Sequence, residues 1–255
     1  MANGGYVLAI AGRAVADATG RPPLTVTAHY LSPGLPGPAE VIVEPVRAGR
    51  RMATVTASLI RTDAADGGGR GGRTEVLRVL ATCGSPIDAP AVLVDGAPPA
   101  LPDYDACIAP DAAVDGAELP PPAMSAAMPP PGLIDRLALR LRPGDDGFHF
   151  GRPTGRAEIA GWFAFADDRP IDELAMLLAV DAFAPPVFNV GIEPGWVPTL
   201  ELTVHIRGVP APGPLRCLFR TSYVQGGLLS EDGELWDQTG RLVAQSRQLA
   251  LVPCY

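Results

Sequence analysis

Leu202-Thr203-Val204-His205, followed by Gly213-Pro214, echoes Val26-Thr27-Ala28-His29, followed by Gly37-Pro38. A single offset of 176 residues carries His29 to His205 and Gly37 to Gly213 without a gap. Two features repeated at one spacing mark an internal duplication, so the unit holding the first motif occurs twice.

The surroundings of both motifs agree. Residues 6–16 are rich in Ala, Val, Leu and Ile and follow Asn3-Gly4-Gly5, which predicts a helix. Its counterpart is predicted over residues 170–180. Pro170 takes the first position, Asp172 and Glu173 the first turn, and Pro185-Pro186 lie beyond the end. Ile171, Leu174, Ala175 and Leu178 then share one face. Alternating, β-branched runs predict strands at 24–31, 39–46, 52–61 and 74–82, with a hairpin turn at Arg47-Ala48-Gly49-Arg50. The second half offers 155–166 ahead of its helix, then 199–207, 215–224, 228–236 and 242–252. One helix served by an antiparallel sheet, twice over, is an α+β architecture. The first half begins at its helix, so the strand that would precede it is missing from the pattern.

Between the halves lies a different kind of sequence. Residues 85–131 carry seven acids and no Arg, a balance of −7 out of the chain's −8, and 12 of its 29 prolines. Proline removes a backbone donor and fixes φ, so this stretch is expected to join no sheet, continue no helix and serve as an extended linker. The expected organisation is residues 1–84, an acidic linker at 85–131, and residues 132–255.

Composition closes off several functions. With 255 residues, 47% hydrophobic and 19% charged, the chain has material for a large core and is not a disordered polymer. No apolar run reaches the roughly 18–20 residues of a membrane span, and the N-terminal sequence lacks a signal peptide's pattern. No stable membrane insertion and a cytoplasmic location are therefore expected. The negative balance argues against a nucleic-acid partner. That argument weakens once the linker is set aside, because the halves together carry only −1, and their Arg residues are free to meet a phosphate locally. Cys83, Cys107, Cys217 and Cys254 show no Cys-x-x-Cys spacing and no neighbouring His, so no metal site follows and free thiols are expected. No Gly-x-Ser-x-Gly elbow occurs, which argues against a serine nucleophile. Gly67–Gly72 fits no strand–helix phosphate pattern and reads as a flexible loop. His29 and His205, equivalent across the repeat, read as packing residues.

Several blocks resemble bacterial type II acyl-CoA thioesterases, the double-hotdog, thioesterase-like family. In the first half these are Asn3-Gly4-Gly5-Tyr6, His29-Tyr30-Leu31-Ser32-Pro33 and Arg47-Ala48-Gly49-Arg50. In the second they are Asp181, Pro198 through His205, Leu235-Trp236-Asp237, and Gly240 through Gln248. The resemblance implies a double hotdog and hydrolysis of a fatty acyl-CoA, with no cofactor. A homo-oligomer goes with it, since hotdog sheets commonly associate, although no residue pattern speaks to that. It also implies a catalytic trio: an Asp after the second helix, a Thr opening the next strand and a Gln on the last strand, here Asp181, Thr199 and Gln248. Glu201 departs from the family, which has Asp at that place.

The residues themselves weigh unequally. Asp181 sits where a helix C-terminus disfavours an anion, so it needs either a partner or a job. Solvated helix-end acid and catalytic base both stay open until the resemblance is added. Thr199 alone is an ordinary β-branched strand residue. Gln248 shares a strand face with Leu242, Ala244, Ala250 and Val252, and a buried amide must be hydrogen-bonded or it costs about 1–3 kcal/mol. In the implied mechanism Asp181 is general base to a water held by Thr199 and Gln248. The Gly4-Gly5 approach to the first helix is the candidate for stabilising the oxyanion through backbone N–H groups. The offset places Pro23 opposite Thr199, so one site per chain is expected. The alternatives are a non-catalytic acyl-CoA-binding or scaffold protein, and a hydratase, for which His149 and His205 lack a suitable Asp partner.

Overall fold

Both helices are present, and each owes its start to a side chain. The computed structural model describes residues 1–62, 72–85, 95–110 and 131–253. Helix α1 (Gly4–Thr19) is opened by Asn3, whose side chain accepts from the Tyr6 N–H at 3.0 Å, and is closed by Gly20 in the left-handed region. A four-residue α2 (Pro131–Ile134) precedes the second half. Helix α3 (Glu173–Ala179) is shorter than its pattern predicts at the N-terminus. Asp172 caps it by accepting from the Ala175 N–H at 2.7 Å, which leaves Pro170 outside.

Strands β1 (Pro23–Tyr30), β2 (Ala39–Ala48), β3 (Met52–Thr62) and β4 (Arg73–Gly84) form the first half's sheet. The first hairpin turn falls slightly later than expected, because β2 runs to Ala48 and Gly49 N–H closes the turn on the Met52 carbonyl. The second half contributes β5 (Arg140–Leu141), β6 (Glu158–Phe163), β7 (Thr199–Ile206), β8 (Leu215–Gln225), β9 (Leu228–Trp236) and β10 (Leu242–Leu251). All pair antiparallel in one ten-stranded sheet of order β2-β3-β4-β1-β7-β10-β9-β8-β6-β5. The halves mirror one another about the β1–β7 join, and among the described residues β6 and β5 beyond β8 have no counterpart beyond β2. The architecture is the α+β double hotdog.

The duplication is visible in the register of that join. Thr27 pairs Thr203, Thr25 pairs His205 and His29 pairs Glu201, so residues 176 apart meet on a local two-fold axis. The Thr27 and Thr203 hydroxyls share a hydrogen bond of 3.0 Å across it. His29 and His205 are exposed rather than packed, since both alternate away from the buried Val26, Ala28, Val204 and Ile206.

Helices α1 and α3 cross beneath the sheet. Val7, Leu8, Ala11 and Val15 of α1 join Met176, Leu177 and Leu178 of α3 in the main core. The crossing depends on glycine: a Cβ on Gly12 would lie 2.4 Å from Leu177 Cδ1, and one on Gly5 only 2.8 Å from the Leu178 carbonyl oxygen.

The acidic connector is less detached than its prolines suggest. Ile108 and Leu141 exchange both backbone hydrogen bonds, Trp162 Nε1 donates to the Pro102 carbonyl at 3.0 Å, and Tyr104 Oη donates to the Ala138 carbonyl at 2.7 Å. The expectation that this segment joins no strand therefore fails at residues 102–108. Proline forbids only its own N–H, and the stretch between Pro102 and Pro110 keeps all of its donors. The predicted loop at Gly67–Gly72 falls, except for Gly72, outside the described residues, as does Cys254. Cys83, Cys107 and Cys217 are buried free thiols.

Candidate active site

The end of α3 meets the start of α1, and the meeting explains an acid at a helix C-terminus. Asp181 Oδ2 accepts from the Gly5 N–H at 2.8 Å and from Asn3 Nδ2 at 3.0 Å, and Asn3 Nδ2 also reaches the Asp181 carbonyl at 2.8 Å. The unpaired N–H groups and positive end of α1 offset what α3 makes unfavourable. Gly4 and Gly5 are required by closeness, since a Cβ on Gly4 would stand 2.9 Å from Asp181 Oδ2 and one on Gly5 2.9 Å from Asp181 Cβ. Burial raises the Asp181 carboxyl from 3.8 to about 6, against the opposing pull of its bonds from Gly5, Asn3 and Gly4.

Thr199 and Gln248 meet beside it, with Gln248 Nε2 donating to Thr199 Oγ1 at 2.7 Å. Strict alternation along β7 would aim Thr199 outward with Glu201 and Thr203, away from the buried Leu202 and Val204. A bulge at Leu200 corrects this: β10 residues Leu249 and Ala250 pair Glu201 and Thr199, skipping one residue. The extra residue turns the Thr199 hydroxyl toward Gln248, which is buried as its strand pattern predicts.

A cleft of about 640 Å³ opens over these groups. Asn3, Gly4, Tyr30 and Val76 line it from the first half, and Asp181, Thr199, Glu231 and Gln248 from the second. Tyr30 donates to the Gly4 carbonyl at 3.0 Å, and its hydroxyl is pushed well above the ordinary range by burial and by Asp181 and Glu201. Leu31, Phe183, Trp196 and Val197 supply apolar wall. No arginine lines the cleft among the described residues.

The structure thus brings Asp181, Thr199, Gln248, Gly4 and Gly5 to one place. Gly5 serves differently from the oxyanion role expected of it, because its N–H is engaged by the Asp181 carboxylate. Glu201 lies outside the cleft, accepting a bond of 2.5 Å from the Thr203 hydroxyl. Neither His149, buried beside Phe148, nor His205 lines the cleft. Sequence reasoning missed Asn3, Tyr30 and Glu231. Asn3 was legible as a helix cap, and Glu231 as an acid on the inward face of β9 with Leu229 and Leu235. Tyr30 carried no separate signal.

Comparison with known proteins adds an independent line. Residues 1–84 match the family model of the acyl-CoA thioesterase N-terminal domain, and residues 111–252 that of the acyl-CoA thioesterase C-terminal domain. The chain belongs to the acyl-CoA thioesterase family. Among solved structures it is similar to a Thermobifida fusca protein assigned to thioesterase II, at 29% identity and a TM-score of 0.77, covering 98% of this chain and 86% of that one. An Alicyclobacillus acidocaldarius hot dog protein follows at 22% identity and a TM-score of 0.76, covering 99% and 88%. The acyl-CoA thioesterase II TesB2 of Mycobacterium marinum shares the fold at 18% identity and a TM-score of 0.61, covering 97% and 88%. An uncharacterized Mycobacterium tuberculosis protein is 43% identical over 82 residues, which is 32% of this chain and 28% of that protein. The chain therefore aligns with little more than a quarter of the length of the curated relatives it matches.

Proposed function

We propose that this family member hydrolyses a fatty acyl-CoA thioester to free fatty acid and coenzyme A, with Asp181 as general base and Thr199 and Gln248 positioning the water. The observation that carries this is the carboxylate of Asp181, anchored on Oδ2 by Gly5 and Asn3 and set beside the Thr199–Gln248 pair in one cleft. With Oδ2 held, Oδ1 is left to take the water's proton. A base near pKa 6 is ionised at neutral pH yet basic enough to take a proton. Thr199 and Gln248 can each donate and accept, so together they fix a water's direction of attack. The acyl chain would lie along Leu31, Phe183, Trp196 and Val197, whose burial of methylenes supplies binding energy. A cytoplasmic location and assembly into an oligomer are part of the same proposal.

The experiment is a panel of acyl-CoAs of increasing chain length, followed by free-thiol release. Wild-type protein turns over at least one of them, and Asp181→Asn lowers kcat by about 100-fold or more. Retained activity in that variant overturns the assignment. Binding without release of thiol by the wild type favours a non-catalytic acyl-CoA-binding protein instead.

A further inference from the structure

Glu231 is the group in the cleft that the Asp–Thr–Gln scheme leaves without a task. It pairs Gln248 in the β9–β10 register, so the two side chains stand next to each other on the inward face, and Glu231 is 9% exposed. Its carboxyl has no hydrogen-bond partner among the described residues. On its other side it pairs Thr221 of β8, whose buried Oγ1 also lacks a partner among them.

The fold does not need an acid there. Across the local two-fold, Leu202 corresponds to Val26, and Val26 pairs Ala81 as Leu202 pairs Gln248. Ala81 in turn pairs Val55 as Gln248 pairs Glu231. The first half thus fills the same two positions with Ala81 and Val55, both buried. An unpartnered buried acid costs stability where a valine fits, so its presence in the second half asks for a ligand.

Resting on the proposed hydrolysis, we infer that Glu231 is a further catalytic residue, a neutral acid whose O–H donates to the thioester carbonyl oxygen as that oxygen gains charge. The Gly4-Gly5 N–H groups first expected there are turned to Asp181 instead. In the step, the water oxygen bonds to the carbonyl carbon, Asp181 takes the water's proton, and the C=O electron pair moves onto oxygen against the Glu231 O–H. The tetrahedral centre then re-forms C=O and breaks C–S. The thiolate leaves, and the proton on Asp181 passes to it or to solvent. Glu231 keeps its proton throughout. Burial, then Asp181 and then Asp232, push its carboxyl well above the usual range, while Asp232 is itself paired with Arg247. Two acids in one cleft are thereby split into an ionised base and a neutral donor.

Two variants and two readouts test this. Glu231→Leu removes the donor and should lower kcat by roughly 100-fold or more with KM nearly unchanged, at an equal or raised Tm. Glu231→Gln keeps an N–H donor, so it should lose only about tenfold and flatten the alkaline limb of the pH profile, since an amide does not ionise. Infrared difference spectra of wild type minus Glu231→Gln, taken at about pH 8 where Asp181 is ionised, should show the carbonyl stretch of a protonated carboxyl. Full activity in Glu231→Leu, or absence of that band, overturns the inference. Thioester hydrolysis lost in Asp181→Asn but intact in Glu231→Leu leaves the proposed function standing and removes Glu231 alone. A wild type that hydrolyses no acyl-CoA overturns both, whatever the infrared band shows.

Discussion

Asp181 concentrates the conflict between stability and chemistry in a single side chain. Its carboxyl titrates at about 6 in the fold and at 3.8 in an unfolded chain, so between these values the native state holds more protons than the unfolded one. Stability from this group is therefore fully present below about pH 4 and is lost as pH rises through 6. At neutral pH the deficit is about 3 kcal/mol, taking ~1.4 kcal/mol per pKa unit. Asparagine keeps an oxygen for the Gly5 N–H and carries no charge to desolvate. Asp181→Asn should match the wild type in Tm near pH 4 and exceed it by several degrees at neutral pH, a difference that thermal melts across pH will show. Wild-type turnover should rise through pH 6, because the proposed base works only when ionised. Equal melting curves at every pH would mean that the buried carboxylate costs nothing.

At the scale of elements, the site is a by-product of how α1 and α3 touch. Gly5 and Gly12 both lie on the crossing, yet they meet different things. A methyl on Gly5 meets the Leu178 and Leu177 carbonyl oxygens and Asp181 Cβ, atoms at or next to the backbone that cannot swing away. A methyl on Gly12 meets Leu177 Cδ1, the end of a side chain with other rotamers. Gly12→Ala should cost about 1–2 kcal/mol and leave kcat within about threefold. Gly5→Ala should cost more than that and lower kcat at least about tenfold by displacing the Asp181 carboxylate. Chemical denaturation with parallel kinetics separates the two, and equal kinetic losses would refute a local cause. The same elements show what the sequence could reveal. Nine of the ten strands and both long helices were legible as periodicity, and Gln248 as a polar intruder on an apolar face. The two-residue β5 is too short for any period to register. Thr199 was legible only through resemblance, because the Leu200 bulge that turns it inward is a property of pairing between strands. The Asp181–Gly5 contact joins residues 176 apart, and nothing local records it.

For the molecule as a whole, the two halves are unequal partners in one object. Register ties them along β1 and β7, the Thr27–Thr203 hydroxyls bond on the axis, and α1 packs on α3. The cleft draws on both: the first half anchors the Asp181 carboxylate through Asn3 and Gly5, and the second supplies Asp181, Thr199, Glu231 and Gln248. The first half's own equivalents of the last three are Pro23, Val55 and Ala81, which offer no chemistry, so the proposed reaction has one site per chain. The halves should accordingly behave as one cooperative unit, held by the sheet and the helix crossing rather than by the chain that connects them. A protease site placed within residues 111–130 lies beyond the contacts of Pro102, Tyr104 and Ile108 with the second half. After cleavage the two pieces should co-elute in gel filtration and keep most of the turnover, since the β1–β7 ladder and the helix crossing remain. They should also unfold in a single transition that shifts to lower temperature on dilution, because a bimolecular complex gains stability from concentration and an intact chain does not. A cut within 95–101 should leave a weaker complex, because Pro102, Tyr104 and Ile108 then stay on the same piece as Trp162, Ala138 and Leu141 and no longer bridge the two. Separation of the pieces after the first cut, or two independent melting transitions before it, would show that the site's two contributors are joined by the linker rather than by the sheet.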